Sequence, residues 1–441
     1  MTRRLFAIVF ILLAASSIWY LYSGTAKKYD YRIDLTKLGK ITNNLELPSK
    51  PEVKNNNKKI ILISLDTVKA SSLSVYGYNR NTSEKIRDFS KDALVFKDAY
   101  TPIPETLPAH ISVFTGLYPE KTGYNSNVRP DNIRQFKTIS RIFRENGYAT
   151  AGVYSSTVFS QDINLDLGFD YVDPPLDYAW QDRAEISAIE TNEKVFKWLD
   201  DNYGKDFFLW VHYYEAHNPY TAYCAPGIYS QDLAPSHKEY EDGGIAIADR
   251  SKWQSVTQQD YRYLSAKYDE EIYCLDKEVD NLFSKLKNLG IYDDATIIIF
   301  GDHGESFDHQ ALFHGFQLYQ SEVRVPLIIK SPIINDVGEN NVSLLDILPT
   351  LADYFNLKGD INGLDGISLN QLKRHKNRVL YLETVEKRRG AVYGGYKIIS
   401  GKDGLEIYDL KKDKKELNNL VKTFPVDQIK KFTDLLNTPL K

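Results

Sequence analysis

Two largely apolar runs, each followed by an acidic residue, constrain the fold of this chain more than any other feature of its sequence. The first covers residues 60–65 and is followed by Asp66. The second covers residues 297–301 and is followed by Asp302 and His303. Apolar runs rich in isoleucine, without alternating polar residues, are typical of strands buried on both faces, as in the sheets of α/β proteins. The pattern therefore predicts an α/β fold with two buried strands that end in polar residues.

These strand ends predict a metal site. Sites in α/β sheets assemble just beyond the carboxyl ends of the strands, so we expect Asp66, Asp302 and His303 to converge at one edge. Carboxylate oxygens and an imidazole nitrogen suit Mg²⁺, Mn²⁺, Zn²⁺ or Ca²⁺. The sequence thus predicts one divalent metal ion held by these three side chains, with its identity left open among the four.

A third stretch, residues 104–116, predicts a hydroxyl group beside that edge. A proline-rich loop leads to Thr106 and Pro108, an apolar pattern follows, and Gly116 ends it. Proline fits a first helical turn and glycine often follows a helix end, so Thr106 lies at or just before a helix N-terminus. One reading is a helix-capping threonine. The other is a nucleophile that serves as a further metal ligand, because a metal lowers the pKa of a bound hydroxyl.

A series of motifs then resembles the sulfatase family of the alkaline-phosphatase superfamily, from about Lys58 to Leu420. A resemblance of this length is more specific than any single motif. The matching segments are Leu65-Asp66-Thr67 with Tyr76-Gly77-Tyr78, Thr106-Leu107-Pro108-Ala109-His110 with Thr115-Gly116, Val211-His212-Tyr213-Tyr214-Glu215-Ala216-His217, Asp302-His303-Gly304-Glu305, Phe313-His314-Gly315, Leu345-Asp346-Ile347-Leu348-Pro349-Thr350-Leu351 and Leu405-Glu406-Ile407-Tyr408-Asp409-Leu410.

The resemblance implies an alkaline-phosphatase-like α/β/α sandwich with a small antiparallel C-terminal subdomain. We expect a catalytic domain over residues 58–358 and the subdomain over residues 359–441. Within the subdomain, the pattern predicts strands at residues 379–384, 391–400 and 405–410.

Histidines support a site, since six of the eight fall in or between these motifs. His217 and His314 are candidates to bind substrate oxygens or protonate a leaving group, and binding a second metal is the alternative for either. His110 stands where the family has an arginine and is a candidate substrate-binding residue. Candidate supporting residues, which orient the others, are His212, Glu215 and His309.

Departures from the family pattern bear on the reaction. Sulfatases oxidise a cysteine or serine to formylglycine, and Thr106 cannot give that aldehyde. Besides the lost arginine at His110, residues 152–155 lack the lysine and histidine that many members carry there. Threonine nucleophiles resemble the branch of the superfamily that acts on phosphodiesters, phosphonates or lipid head groups. We therefore expect a metal-dependent hydrolase of phosphodiester or phosphonate-type esters, with a covalent Thr106 intermediate and a small-molecule, glycan or lipid substrate. The alternatives are a sulfuric ester hydrolase, a membrane-anchored phospho-head-group transferase and a catalytically silent binding protein.

The N-terminus predicts export. Arg3 and Arg4 precede an apolar run over residues 5–22, about 18 residues and the lower end of spanning length. Basic residues ahead of such a run place the N-terminus in the cytosol and the rest on the periplasmic or other extracytoplasmic side. Residues 1–26 are either a membrane anchor, which Trp19 and Tyr20 favour, or a cleaved signal peptide. Residues 27–57 read as a linker. A net charge of −4 gives no reason to expect nucleic-acid binding.

Export permits disulfides, and the chain has two cysteines, Cys224 and Cys274. Their spacing fits no metal motif. A disulfide and two unpaired thiols both remain open from the sequence.

Overall fold

A seven-stranded sheet organises the part of the chain that the computed structural model describes. That part comprises residues 58–127, 133–159, 167–173, 186–241, 255–334, 341–359, 361–375 and 378–437. The described strands are β1 Lys59–Leu65, β2 Leu94–Val95, β3 Ala99–Tyr100, β4 Ala149–Tyr154, β5 Tyr171–Asp173, β6 Phe207–Tyr213, β7 Thr296–Gly301, β8 Arg324–Val325, β9 Leu327–Lys330, β10 Val342–Ser343, β11 Leu380–Glu383, β12 Arg389–Tyr393, β13 Tyr396–Gly401 and β14 Gly404–Asp409. The described α-helices are α1 Glu84–Phe89, α2 Thr106–Thr115, α3 Pro119–Thr122, α4 Ile139–Glu145, α5 Ala188–Asn202, α6 Gln258–Asn288, α7 Gln320–Val323, α8 Ile347–Tyr354 and α9 Val426–Asn437.

The two apolar runs are confirmed as β1 and β7, which lie side by side in the middle of the sheet. The strand order is β2-β9-β7-β1-β6-β4-β5. β1 pairs in parallel with both β6 and β7, whereas β9 runs antiparallel to β7. Parallel neighbours need crossover helices, and these cover both faces of the sheet.

Alternate residues of β1 enter two different cores. Ile61 and Ile63 pack into one core with residues of α5 and α6. Ile60 and Leu62 pack on the opposite face with residues of α2, α4 and α8. Because successive side chains of a strand point to opposite faces, a fully apolar strand requires a helical layer on each side. The result is three layers, α/β/α.

Strand register brings three chain segments to one edge. Leu65 of β1 lies opposite Tyr213 at the end of β6 and opposite Gly301 at the end of β7. The residues that follow these strand ends therefore emerge at the same level of the sheet, which is where the candidate site lies.

The C-terminal strands form a separate antiparallel sheet in the order β11-β12-β13-β14. The single strand expected over residues 391–400 is wrong, since the chain folds there into a hairpin of β12 and β13. Gly394 and Gly395 make the turn with φ of 61° and 86°, values that glycine adopts without steric cost. The boundary expected at residues 358/359 stays a prediction.

Cys224 and Cys274 form a disulfide, with Cα atoms 5.7 Å apart. The bond ties the loop after β6 to the middle of α6. Of the two alternatives that the sequence leaves open, the structure therefore has the paired cysteines.

Residues 1–57 lie outside the described residues, so the anchor or signal peptide and the linker stay predictions. Within the described ranges, no helix combines the length and apolar character needed to cross a bilayer.

Candidate metal and catalytic site

Two carboxylates and an imidazole meet at the carboxyl edge of the sheet. Asp66 follows β1, and Asp302 and His303 follow β7. One ligand atom from each of the three lies within 4.8 Å of the other two. All three side chains are fully buried. The structure thus brings together the three residues that the sequence predicts as metal ligands.

The donor atoms fit a divalent cation. Asp302 Oδ1 accepts the backbone N–H groups of Thr67 over 3.1 Å and of His303 over 2.7 Å. Its Oδ2 is buried without a hydrogen-bond partner. His303 Nδ1 donates to the Gly304 carbonyl over 3.0 Å, since a carbonyl oxygen only accepts. The neutral ring therefore keeps a lone pair on Nε2, which lies 3.5 Å from Asp302 Oδ2 and 3.8 Å from Asp66 Oδ1.

Electrostatics also favour a cation between the carboxylates. Burial raises the pKa of Asp302 well above its ordinary value, and the neighbouring Asp66 carboxylate raises it further. Buried like charges this close destabilise each other unless a counter-charge compensates them. A divalent metal supplies that charge, and Asp66, Asp302 and His303 would hold it. Within the described ranges no other trio of acidic, histidine or cysteine side chains has this arrangement.

Two glycines allow the backbone to approach the cluster closely. A Cβ atom on Gly301 would lie 2.3 Å from the Val68 carbonyl oxygen. A Cβ atom on Gly304 would lie 2.0 Å from the Ser321 carbonyl oxygen. Both distances are steric clashes, so Asp302 and His303 keep their positions only between glycines.

Thr106 is the first residue of α2 and faces the same cluster. Its Oγ1 lies 3.2 Å from His303 Nε2, and the residue is 3% exposed. The capping position is held by Glu105, which precedes it and makes no side-chain cap bond. The reading of Thr106 as a helix-capping threonine is therefore wrong. Its hydroxyl faces the cluster of Asp66, Asp302 and His303 at the positive end of a ten-residue helix.

His314 lies next to this cluster, with its ring centroid 4.3 Å from that of His303. Its Nδ1 donates to Glu305 Oε1 over 2.9 Å. Burial opposes protonation of His314, but the carboxylates of Glu305, Glu105 and Asp66 raise its pKa to about 10 overall. The Glu305 carboxylate therefore favours the protonated form of His314.

His217 differs from His314 in its partner. Its ring stacks on Tyr214 at 4.3 Å and lies 5.1 Å from the His314 ring. Nδ1 donates to the Asn218 carbonyl over 2.7 Å. Burial, with the adjacent His314, lowers the pKa of His217 to about 3. This ring is neutral and presents an accepting Nε2.

His212 and His110 lie behind the carboxylates. His212 Nε2 is 3.1 Å from Asp66 Oδ2, a position that orients this carboxylate. His110 Nδ1 donates to the Thr106 carbonyl over 2.8 Å and lies 3.6 Å from Asp302 Oδ2. The His110 ring is fully buried and packs on Phe159 at 4.9 Å. This placement puts His110 on the core side of the cluster, and its expected role in substrate binding stays a prediction.

Two other expected supporting residues lie elsewhere. His309 Nε2 donates to the Lys415 carbonyl over 2.9 Å, and its ring stacks on Tyr319 at 3.8 Å. It therefore supports the C-terminal segment. Glu215 accepts the N–H of Ala188 at the start of α5.

Sequence reasoning missed the roles of two carboxylates. Glu305 is the partner of His314, and its place in the Asp-His-Gly-Glu motif was the available signal. Glu105 is another carboxylate that raises the pKa of His314, and it directly precedes Thr106. A Cβ atom on Gly315 would lie 2.6 Å from Glu105 Oε2. Its adjacency to the candidate nucleophile was the only signal.

A three-layer α/β/α fold with a buried carboxylate–imidazole cluster beside a helix-terminal hydroxyl is typical of metal-dependent ester hydrolases. Comparison with known families agrees. The family model described as Sulfatase matches residues 58–357. The chain belongs to the sulfatase family, within the alkaline-phosphatase-like superfamily, and members of this family are metal-dependent hydrolases.

Individual relatives are distant but cover most of the chain. The uncharacterized sulfatase YidJ of Escherichia coli is 23% identical, over 82% of each chain. The Delta 4,5-hexuronate-2-O-sulfatase of Bacteroides thetaiotaomicron is 22% identical, over 82% of this chain and 84% of its own. The structure of the phosphonate monoester hydrolase of Agrobacterium radiobacter superposes with a TM-score of 0.65 at 20% identity, covering 86% of this chain and 94% of its own. The expected α/β/α fold with its small antiparallel sheet is confirmed.

Proposed function

We propose that this protein hydrolyses phosphodiester or phosphonate esters through a covalent intermediate on Thr106. The observation that carries the proposal is the position of Thr106, whose Oγ1 lies 3.2 Å from His303 Nε2 at the start of α2. Asp66, Asp302 and His303 would hold one divalent metal ion, and Thr106 would be a further ligand. A metal bound there lowers the pKa of a nearby hydroxyl and neutralises charge on ester oxygens.

The reaction proceeds in two displacements. Thr106 Oγ loses its proton to solvent and attacks phosphorus, while the bond from phosphorus to the leaving oxygen breaks. The leaving alkoxide takes a proton from a histidine. Water then attacks phosphorus and gives a proton back to the histidine, while the bond between Thr106 Oγ and phosphorus breaks. Thr106 Oγ takes up a proton from solvent, which restores the hydroxyl.

The two histidines take different roles in this scheme. His314 donates from Nδ1 to the Glu305 carboxylate, and a carboxylate partner favours the imidazolium. It is the proton donor to the leaving group. His217 donates from Nδ1 to the Asn218 carbonyl, so its Nε2 accepts a hydrogen bond from the attacking water or from a substrate hydroxyl.

Phosphorus is favoured over sulfur because the groups that grip a terminal sulfate are missing. His110 stands in place of the family arginine, and its ring is buried against Phe159. Ser155, in the segment without the family lysine and histidine, is buried and donates to the His212 carbonyl over 2.7 Å. The covalent intermediate on Thr106 must also be cleaved by water attack at its phosphorus or sulfur atom. This attack develops less negative charge for a metal to stabilise at sulfur than at phosphorus. Sulfuric esters are the second candidate, favoured by relatives that are sulfatases, such as the Delta 4,5-hexuronate-2-O-sulfatase.

The test is a screen of the full chain with Mn²⁺, Zn²⁺, Mg²⁺ and Ca²⁺ on paired substrates. We expect turnover of bis-p-nitrophenyl phosphate or a phosphonate monoester far above that of p-nitrophenyl sulfate. Thr106→Ala should abolish both activities, whereas Thr106→Ser should keep part of them. Thr106→Cys, coexpressed with a formylglycine-generating enzyme, is the gain-of-sulfatase control. Efficient sulfate turnover by the unmodified protein, with no phosphoester activity, would overturn the proposal.

We also propose that the catalytic domain faces away from the cytosol, anchored through residues 1–26. The Cys224–Cys274 disulfide supports export, because disulfides persist in oxidising compartments. Protease added to intact spheroplasts should digest the domain, and mass spectrometry should find the N-terminus retained. A mature chain starting near Lys27 would refute the anchor and keep the export.

A further inference from the structure

Four consecutive residues, 317–320, are held by the C-terminal sheet and the turn that follows it. Each of the four makes its own hydrogen bond to a charged side chain from that part of the chain. These bonds are Arg388 Nη1 to Gln317 Oε1 over 2.8 Å, Lys397 Nζ to the Leu318 carbonyl over 2.6 Å, the Tyr319 hydroxyl to Glu406 Oε2 over 2.8 Å and the Gln320 N–H to Glu416 Oε2 over 2.6 Å.

We call these four hydrogen bonds to residues 317–320 the clamp, and Lys397 is its central residue. Its side chain is fully buried, and Nζ forms an ion pair with Glu416 Oε1 over 2.7 Å. The same ammonium holds the Leu318 carbonyl, while the Leu318 side chain packs into an apolar cluster with Val392 and Ile399. A buried lysine persists only where a partner and hydrogen bonds compensate its charge. Here the Leu318 carbonyl and the Glu416 carboxylate compensate the charge of Lys397, and the bond to Leu318 ties β13 to residues 317–320.

The clamped segment is connected to the site at both of its ends. His314 lies three residues before Gln317. On the other side, the Glu322 carbonyl accepts the Gly304 N–H over 2.7 Å, next to His303. Glu322 Oε2 also accepts the Phe316 N–H over 3.3 Å. A shift of the segment therefore moves the backbone that carries His314.

We propose that Lys397 is a positioning residue for His314. This inference rests on the proposed function, in which His314 protonates the leaving group. Lys397 fixes the Leu318 carbonyl and Glu416, and these hold the segment that sets the direction of the His314 ring. Without the ammonium, two buried acceptors lose their donor and the segment relaxes.

Leaving groups of different basicity test the proposal in the metal-loaded full chain. For Lys397→Met we expect kcat on a diester with an alkyl leaving group to fall on the order of 10-fold or more, because that group needs a proton. The kcat on bis-p-nitrophenyl phosphate should change less than about 2-fold, since nitrophenolate leaves without one. The KM values should stay close to those of the wild type.

Ile398→Val is the matched control. Ile398 is the next residue of β13, but it faces the opposite side and packs with Phe432 and Leu436 of α9. It should disturb the sheet without changing the dependence on the leaving group. If Lys397→Met does not fold, the double variant Lys397→Met/Glu416→Gln removes both charges and serves in its place.

Histidine side-chain NMR separates this inference from the proposed function. The Nδ1–H signal of His314 should shift in Lys397→Met and stay in place in Ile398→Val. If the His314 signal shifts in Lys397→Met but the wild type has no phosphoester activity, the proposed function is wrong and the positioning role stands. An unchanged signal, or an equal loss of rate on both leaving groups, would overturn the inference.

Discussion

His314 and Glu305 form a hydrogen-bonded ion pair in which Nδ1 donates to Oε1 over 2.9 Å. The second oxygen of the same carboxylate accepts the Tyr220 hydroxyl over 2.8 Å. Glu305 is fully buried and is thus held from two sides. The carboxylate partner favours a proton on the other ring nitrogen of His314, whereas His217 has a carbonyl partner in that position.

This difference predicts opposite effects of two matched substitutions. His314→Gln should lower kcat by about 10²-fold on alkyl leaving groups and far less on nitrophenyl ones, because only the former need an acid. His217→Gln should affect both substrates alike. Steady-state kinetics on the two diesters checks this. Equal losses in His314→Gln would show that His314 is not the proton donor.

The buried carboxylate cluster predicts graded losses of metal affinity. Asp302→Asn removes a ligand, so its metal affinity should fall further than that of His212→Gln, which removes only the group 3.1 Å from Asp66. Loss of a residue that orients a metal ligand typically lowers metal affinity about 10–100-fold. Chelator competition with elemental analysis measures both. Wild-type affinity in Asp302→Asn would place the metal elsewhere.

The disulfide predicts a stability contribution from the loop that it closes. Cys224 and Cys274 are 50 residues apart in the chain, and the bond restricts the unfolded ensemble. The double variant Cys224→Ala/Cys274→Ala should lower the free energy of unfolding by about 2–4 kcal/mol. Denaturant titration measures this, and the gap between the proteins should close under reducing conditions. A gap that persists under reduction would point to lost packing instead.

Asp276 predicts a pH-dependent stability. It reaches from α6 to accept the N–H groups of Lys85 over 2.9 Å and Ile86 over 2.8 Å at the start of α1. Burial raises its pKa from the ordinary 3.8 to about 7. A raised folded-state pKa means that the folded protein binds the proton more tightly. The contribution of Asp276 to the free energy of unfolding is therefore complete below about pH 4 and is lost as the pH rises toward 7.

The variant Asp276→Asn isolates this effect from those of other buried carboxyl groups. The free energy of unfolding of the wild type minus that of the variant should fall between about pH 4 and 7, by a few kcal/mol at most. Denaturant titrations across this range measure the difference. A difference that rises with pH would mean that the helix N–H groups outweigh burial and lower the pKa of Asp276.

Strand ends could be predicted from the sequence, and long-range contacts could not. Asp66 and Asp302 follow apolar runs whose parallel pairing fixes where they emerge, so their convergence is a consequence of the strand pattern. The hairpin at Gly394 was missed because apolar and aromatic residues continue on both sides of the turn. The helix Val426–Asn437 was also not predicted.

Side-chain direction was the other limit. His110 turns toward the core because its Nδ1 bonds the Thr106 carbonyl one helical turn earlier, which residue identity does not reveal. His309 is fixed by Lys415, 106 residues later in the chain. Both contacts depend on tertiary packing. The same packing assigns different partners to His217 and His314, which the sequence left equivalent.

The clamp on residues 317–320 also sets an order of events during synthesis. Lys397 leaves the ribosome 79 residues after Leu318, and Glu416 later still. All the candidate ligands and the nucleophile have then already been made. A nascent chain therefore acquires its candidate metal ligands before His314, the proposed proton donor, is held in place. Under the proposed function, full activity depends on the last strands to be translated, so the reactive enzyme is delayed until the C-terminal sheet has emerged.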